Sequence, residues 1–322
     1  MIPPKLKSGD HVRVIAPAHG LSPKLTKENK EQAIKGFGEL GLTVSYGKYV
    51  HERDEFNTTP IEKRLEDLHD AFTDPNVQAI IPAMGGSSAN QLLKYIDYEL
   101  IRENPKILCG LSDITALANA IYAKTKLVTY YGPHFTMLGA SKIVDYSFEY
   151  MKKTFFSDAA VRINPSEYYI DSEWDSQVIV NEGFWSINEG EVKGKSIGGN
   201  FITLNLLMGS EFMPDLTDSI VFLEANKVIE FRDVQNYLQA ILNQPDSHKI
   251  KGLIIGRFQK DTSMTRELLT TMIHSKKELK NVPVAANVDF GHTAPMCTLP
   301  VGGNISLQVK KDDKVHIIVE EH

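Results

Sequence analysis

Ser112, Glu224 and His292 are the residues with which this sequence could do nucleophilic chemistry. Ser112 sits in "KILCGLSDITALANAIYAK", where an apolar run gives way to helical periodicity. Gly110 precedes it by two, as in half of a nucleophile elbow, but Ile114 stands where that motif has its second glycine. A serine hydroxyl attacks a carbonyl only if a base removes its proton and an acid orients the base. Of the ten histidines, His11, His69, His248, His274, His316 and His322 lie in charged, helical or terminal surroundings, and His19, His51 and His134 lie in loops as candidate ligand contacts. His292 differs, because "NVDFGHTAPMCTLP" places it just after an apolar strand and a glycine in a proline-bounded loop. Glu224 ends the hydrophobic run of "SIVFLEANK", and a carboxylate partly desolvated there favours an imidazolium partner.

Each of the three has a structural reading too. Ser112 is well placed as the N-cap of the helix that starts near Asp113. His292 fits a hydrogen-bonded turn, and Glu224 fits a helix start. The helix mouth after Ser112 also offers N–H groups and a positive dipole end to an oxyanion. In "MGGSS", Gly85 and Gly86 allow a backbone turn to come close to a ligand, and they suit an ordinary strand-to-helix turn equally.

The elements that must hold these residues alternate through the first half. "HVRVIAPA", "LTVSYGKYV", "VQAIIPA" and "KILCGL" read as strands, and "KENKEQAIKGFGELG", "IEKRLEDLHDAFTD", the stretch after "MGGSS" and "ITALANAIYAKT" read as helices. Near-continuous apolar strands separated by helices imply a parallel sheet covered on both faces, with ligands beyond the carboxyl ends of its strands. From about Ile163 short β patterns dominate, with helices over about 229–242 and 264–279. The expected architecture is α/β: a Rossmann-like parallel-sheet domain over 1–160, a linker over 161–172, and a mixed, β-rich domain over 173–322.

Composition narrows the partners. The 322 residues carry 35 basic and 41 acidic side chains, a formal charge of −6, with no basic block or interleaved aromatics, so a nucleic-acid polymer is not expected. Two cysteines, Cys109 and Cys297, read as small core residues rather than a disulfide or CxxC metal site. No signal peptide is visible and no apolar run reaches about 18 residues, so a soluble, cytoplasmic protein without a membrane partner is expected.

Several ordered motifs carry a resemblance. "GGSSANQLLKYIDYELIRENPKILCGLSDITALANAIYAKTKLVTYYGP", "SIGGNFITLNLLMGSEFMPD", "VFLEANK" and "DFGHTAPMCTLPVGG" are similar to the LD-carboxypeptidase family of serine peptidases, which includes the microcin C immunity peptidases. The resemblance implies a Ser-Glu-His triad at Ser112, Glu224 and His292, and an oxyanion hole from the backbone N–H groups of Asp113 and Gly86. It also implies substrate contacts at Gly85 and Ser87, a homodimer, and no metal or organic cofactor. An acidic residue commonly follows the family's glutamate; Ala225 stands here.

Two substrates fit within the family: an aminoacyl or peptidyl nucleotide, and a murein tetrapeptide that loses its terminal D-alanine. "NEGFWSINEG" resembles the immunity branch, whose aromatic at this loop stacks on the nucleobase, a contact of about 1–3 kcal/mol; Trp185 is the match, with Phe184 beside it. The nucleotide conjugate is the expected substrate and the murein peptide the second. A catalytically silent ligand-binding protein is the alternative from another class.

Overall fold

A computed structural model describes residues 1–322. The first half runs β1 (His11–Ile15), α1 (Lys27–Glu39), β2 (Thr43–Tyr46), α2 (Ile61–Thr73), β3 (Ala79–Pro82), α3 (Tyr98–Glu103), β4 (Ile107–Gly110), α4 (Ile114–Thr125), β5 (Thr129–Tyr131), α5 (Phe135–Ala140) and α6 (Asp145–Phe155). Its five strands pair in parallel in the order β5-β4-β3-β1-β2. Every residue of β3 and β4 is buried, as their unbroken apolar sequences require of strands covered on both faces. The stretch after Met84–Ser88, read as a helix, forms only a single 3-10 turn at Ala89–Leu92. Asp97 ends it by starting a new helix, its carboxylate accepting the Leu100 N–H at 3.0 Å.

The second half contains β6 (Val161–Ile163), β7 (Tyr168–Tyr169), β8 (Ile179–Val180), β9 (Trp185–Asn188), β10 (Gly190–Asn200), α7 (Phe201–Asn205), β11 (Ser219–Glu224), α8 (Phe231–Leu242), β12 (Gly252–Gly256), α9 (Arg266–His274), β13 (Val284–Val288), β14 (Leu299–Val301), β15 (Asn304–Lys310) and β16 (Lys314–Glu321). Eight of these strands form a mixed sheet, β6-β16-β15-β10-β11-β12-β13-β9, whose β10 to β13 are parallel. The span 161–172 is therefore not a free tether. The alternation Val-Arg-Ile buries Val161 and Ile163 against β16, β7 pairs with β8, and Ile170 bridges Ala294. β14 crosses back to extend the first sheet, antiparallel to β5, so a strand from the second half completes the sheet of the first.

Helix α4 fills the space between the sheets. Ten of its twelve residues are buried, because "ITALANAIYAKT" is apolar around its whole circumference. A single cluster of 66 buried residues runs from the first sheet through α4 into the second, and a cluster of 21 covers the other face of the first sheet. Truncating a fully buried member such as Leu117 to alanine would cost about 2–5 kcal/mol. This shared core fixes the carboxyl ends of β4 and β11 relative to each other. No helix is long and apolar enough to cross a membrane.

Candidate active site

Ser112 is not a helix cap. Its φ is +63°, in the left-handed region, and Asp113 occupies the position before α4 with no side-chain cap bond. A non-glycine residue pays about 1–2 kcal/mol for that conformation, so its neighbours must enforce it. The Ser112 N–H donates to the Tyr131 hydroxyl at 3.0 Å. Gly85 packs so closely that a Cβ there would stand 2.8 Å from Ser112 Cβ. The sharp turn aims Oγ out of its own helix and toward the second sheet.

There it meets His292 Nε2 at 3.1 Å, and His292 Nδ1 stands 2.7 Å from Glu224 Oε2. Glu224 ends β11 and is completely buried, while His292 lies four residues beyond the end of β13 and keeps 17% of its side chain exposed. Glu224 fits tightly because Gly291, at φ +112°, leaves room: a Cβ there would be 2.6 Å from Oε2. Its other oxygen accepts from Tyr131 Oη at 2.7 Å and from Asn200 Nδ2 at 2.9 Å. The loop carrying His292 is anchored by Asp289, which pairs with buried Arg257 at 2.7 Å and accepts the Ser166 N–H at 2.8 Å.

The electrostatics follow from this packing. Burial disfavours the imidazolium of His292, but the charge and hydrogen bond of Glu224 outweigh it, with Glu173 adding, and raise its pKa above the ordinary histidine value. Burial alone would push the Glu224 carboxyl up; the His292 charge and the hydrogen bonds from His292, Tyr131 and Asn200 hold it below the usual range. His134, buried nearby as the N-cap of α5, is pushed down to about 3 by burial and the His292 charge. Its Nδ1 accepts the Met137 N–H at 3.0 Å, which leaves the ring proton on Nε2.

Two turns next to Ser112 carry free backbone donors. The N–H groups of Gly85, Gly86, Ser87 and Asp113 have no partner within the chain. The buried Asp113 carboxylate accepts the N–H of Ser88 at 2.7 Å and of Ala89 at 2.8 Å, bracing the glycine turn against the serine turn. Gly86 lies against His19, which a Cβ would meet at 2.6 Å, and Ser87 is exposed.

Trp185 lies on the edge strand β9, its Nε1 donating to Glu182 at 2.8 Å. With Tyr169, Val180, Arg257 and Met264 it lines a pocket of about 330 Å³ that includes none of Ser112, Glu224 and His292. The segment whose charge reaches His292 is instead the one after Ile170, with Glu173 and, next to it, Trp174, 41% exposed. Tyr131 and Asn200 also escaped the sequence reading. Both are polar residues at the carboxyl ends of strands, the position that singled out Ser112 and Glu224, and Asn200 is the register partner of Glu224.

The site has known relatives. Residues 12–132 match the LD-carboxypeptidase N-terminal domain and residues 193–307 the LD-carboxypeptidase C-terminal domain. The crystal structure of an MccF-like protein from Bacillus anthracis str. Ames is 44% identical and aligns over all of both chains with a TM-score of 0.97. The microcin C7 self-immunity protein MccF of Escherichia coli is 30% identical across 88% of this chain and 85% of its own. The structure of MccF with glutamyl sulfamoyl guanosine aligns with a TM-score of 0.88 over 99% of this chain and 98% of its own, and that with aspartyl sulfamoyl adenosine with 0.87 over 100% and 99%, each at 26% identity. The murein tetrapeptide carboxypeptidase of Pseudomonas aeruginosa is 26% identical over 92% of each chain. Matched by both domain models, the chain belongs to the LD-carboxypeptidase family and is a serine-type hydrolase.

Proposed function

We propose that this hydrolase cleaves the acyl link between an amino acid or peptide and a nucleotide, with Ser112 as nucleophile, His292 as general base and Glu224 as the acid that orients it. The observation that carries the roles is the unbroken chain from Ser112 Oγ to His292 Nε2, 3.1 Å, and from His292 Nδ1 to Glu224 Oε2, 2.7 Å. As Oγ bonds to the acyl carbon, its proton passes to Nε2, and Glu224 stabilises the resulting imidazolium. The N–H groups of Asp113 and Gly86 receive the oxyanion, each such donor being worth about a hundred- to a thousandfold in rate. The tetrahedral species collapses as His292 returns the proton to the leaving nitrogen. Water, deprotonated by the same His292, then hydrolyses the acyl-enzyme.

The substrate class is supported by the aminoacyl sulfamoyl nucleosides that MccF binds. A murein tetrapeptide is the second reading, favoured by the Pseudomonas relative. Incubating the protein with aspartyl sulfamoyl adenosine and, separately, with a murein tetrapeptide decides between them by mass spectrometry. Free aspartate and sulfamoyl adenosine are the expected products. Release of D-alanine alone would move the assignment to murein peptides, and binding of either compound without turnover would make this a silent binding protein. Ser112→Ala should bind the nucleotide conjugate and not turn it over.

A further inference from the structure

The hydroxyl of Tyr131 touches both ends of the catalytic chain, and chemistry fixes the direction of its hydrogen bonds. A backbone N–H can only donate, so the phenol oxygen accepts from Ser112 at 3.0 Å. The phenol's single proton is then directed to Glu224 Oε1, 2.7 Å away. Glu224 Oε2 takes the Nδ1–H of His292, and His292 Nε2 takes the Oγ–H of Ser112. Four residues thus close a ring that leaves Ser112 through its backbone and returns through its side chain, with both arms ending on Glu224. Tyr131 is fully buried and ends β5, next to β4 in the first sheet, whereas Glu224 ends β11 in the second. Burial, followed by the nearby Glu224 charge, holds the phenol far above its ordinary pKa, so it keeps the proton it donates.

We propose that Tyr131 is a positioning residue for the hydrolysis: its hydroxyl holds Ser112 in the left-handed turn and sets how strongly Glu224 draws a proton onto His292. The inference rests on Ser112 being the nucleophile. Without the hydroxyl, the Ser112 N–H loses its acceptor and the turn loses a restraint. The N–H of Asp113, which the turn orients, is then less well aimed at an oxyanion. Glu224 also loses a donor, becomes more basic and raises the His292 pKa. A tyrosine that only filled core volume would be replaced by phenylalanine without either effect.

The test uses a fluorophosphonate, which reacts with an activated serine independently of the natural substrate. The Oγ–P bond forms as the P–F bond breaks, fluoride leaves, and the serine proton passes to His292. Labelling rates are measured against pH for the wild type, Ser112→Ala, Tyr131→Phe and protein carrying 3-fluorotyrosine at position 131. Tyr131→Phe should lower the plateau rate about tenfold, one hydrogen bond's worth, and move the acid midpoint up by about half a pH unit. The fluorinated phenol is a stronger donor and should move that midpoint down, a pair of opposite shifts that loss of packing cannot produce. Unchanged rate and midpoint in folded Tyr131→Phe would overturn the proposal. Should that variant not fold, an unmoved midpoint with 3-fluorotyrosine would overturn it instead. Wild-type labelling no faster than Ser112→Ala would overturn the nucleophile assignment itself, which separates the two failures.

Discussion

His292 Nδ1 stands 2.7 Å from Glu224 Oε2, and the two residues are 68 positions apart in the chain. The pair governs how activity should depend on pH. In the proposed mechanism only neutral His292 accepts the Ser112 proton, and Glu224 holds its pKa above the ordinary value of about 6.5. kcat/KM should therefore rise with pH, with its half-maximum above about 6.5. Glu224→Gln removes the charge that outweighs burial, so the midpoint should fall below the ordinary value while kcat drops roughly a thousandfold or more. A pH–rate profile of both proteins checks the sign, and a midpoint that stays put in Glu224→Gln would detach the acid from the base.

The left-handed Ser112 separates catalysis from stability. Ser112→Ala and Ser112→Gly both lack the proposed nucleophile, but only glycine relaxes a backbone at φ +63°. Ser112→Gly should be the more stable of the two by about 1 kcal/mol in urea unfolding, with both inactive. Equal stability would mean that the turn stores no strain.

His134 makes a prediction of opposite sign to His292. Its folded pKa is depressed to about 3, so the neutral ring stabilises the fold fully above the unfolded value of about 6.5, and that contribution is lost as pH falls toward the folded value. Asparagine at this position keeps an N-cap acceptor for the Met137 N–H and does not titrate. Relative to the wild type, His134→Asn should lose part of the steep acid dependence of Tm below about pH 6.5. Parallel melting curves across that range would show that protonation of His134 does not oppose folding.

Much of this arrangement was legible in the sequence, for reasons that its exceptions expose. The alternation of apolar strands and helices gave the parallel sheet directly, and Ser112, Glu224 and His292 stood out as polar groups following apolar strands. Local pattern alone could not separate the cap from the nucleophile at Ser112, because it records that a polar residue precedes a helix but not that its φ is +63°. β14 lies beyond what periodicity can tell, since its three residues reach the first sheet only through long-range pairing with β5. Tyr131 and Asn200 were missed because a buried tyrosine in "TYYGP" and an asparagine in "IGGN" look like core and turn until the second sheet is set against the first.

For the proposed nucleotide substrate, Trp185 and Trp174 are two candidate stacking residues, and their surroundings favour Trp174. The ring of Trp185 is engaged on an outer edge strand by Glu182 and by Arg266, whose guanidinium lies 5.8 Å from the ring centroid. Trp174 adjoins Glu173, whose charge acts on His292, and its segment is tied to the His292 loop through the Ile170 to Ala294 pairing. Trp174→Ala should raise KM for aspartyl sulfamoyl adenosine by about tenfold or more, the loss of one base stack, with a smaller effect on kcat. Trp185→Ala should leave KM within about twofold, because its pocket holds none of the reacting residues. The reverse pattern in steady-state kinetics would assign base stacking to Trp185 and place the nucleotide in the pocket beside Arg257.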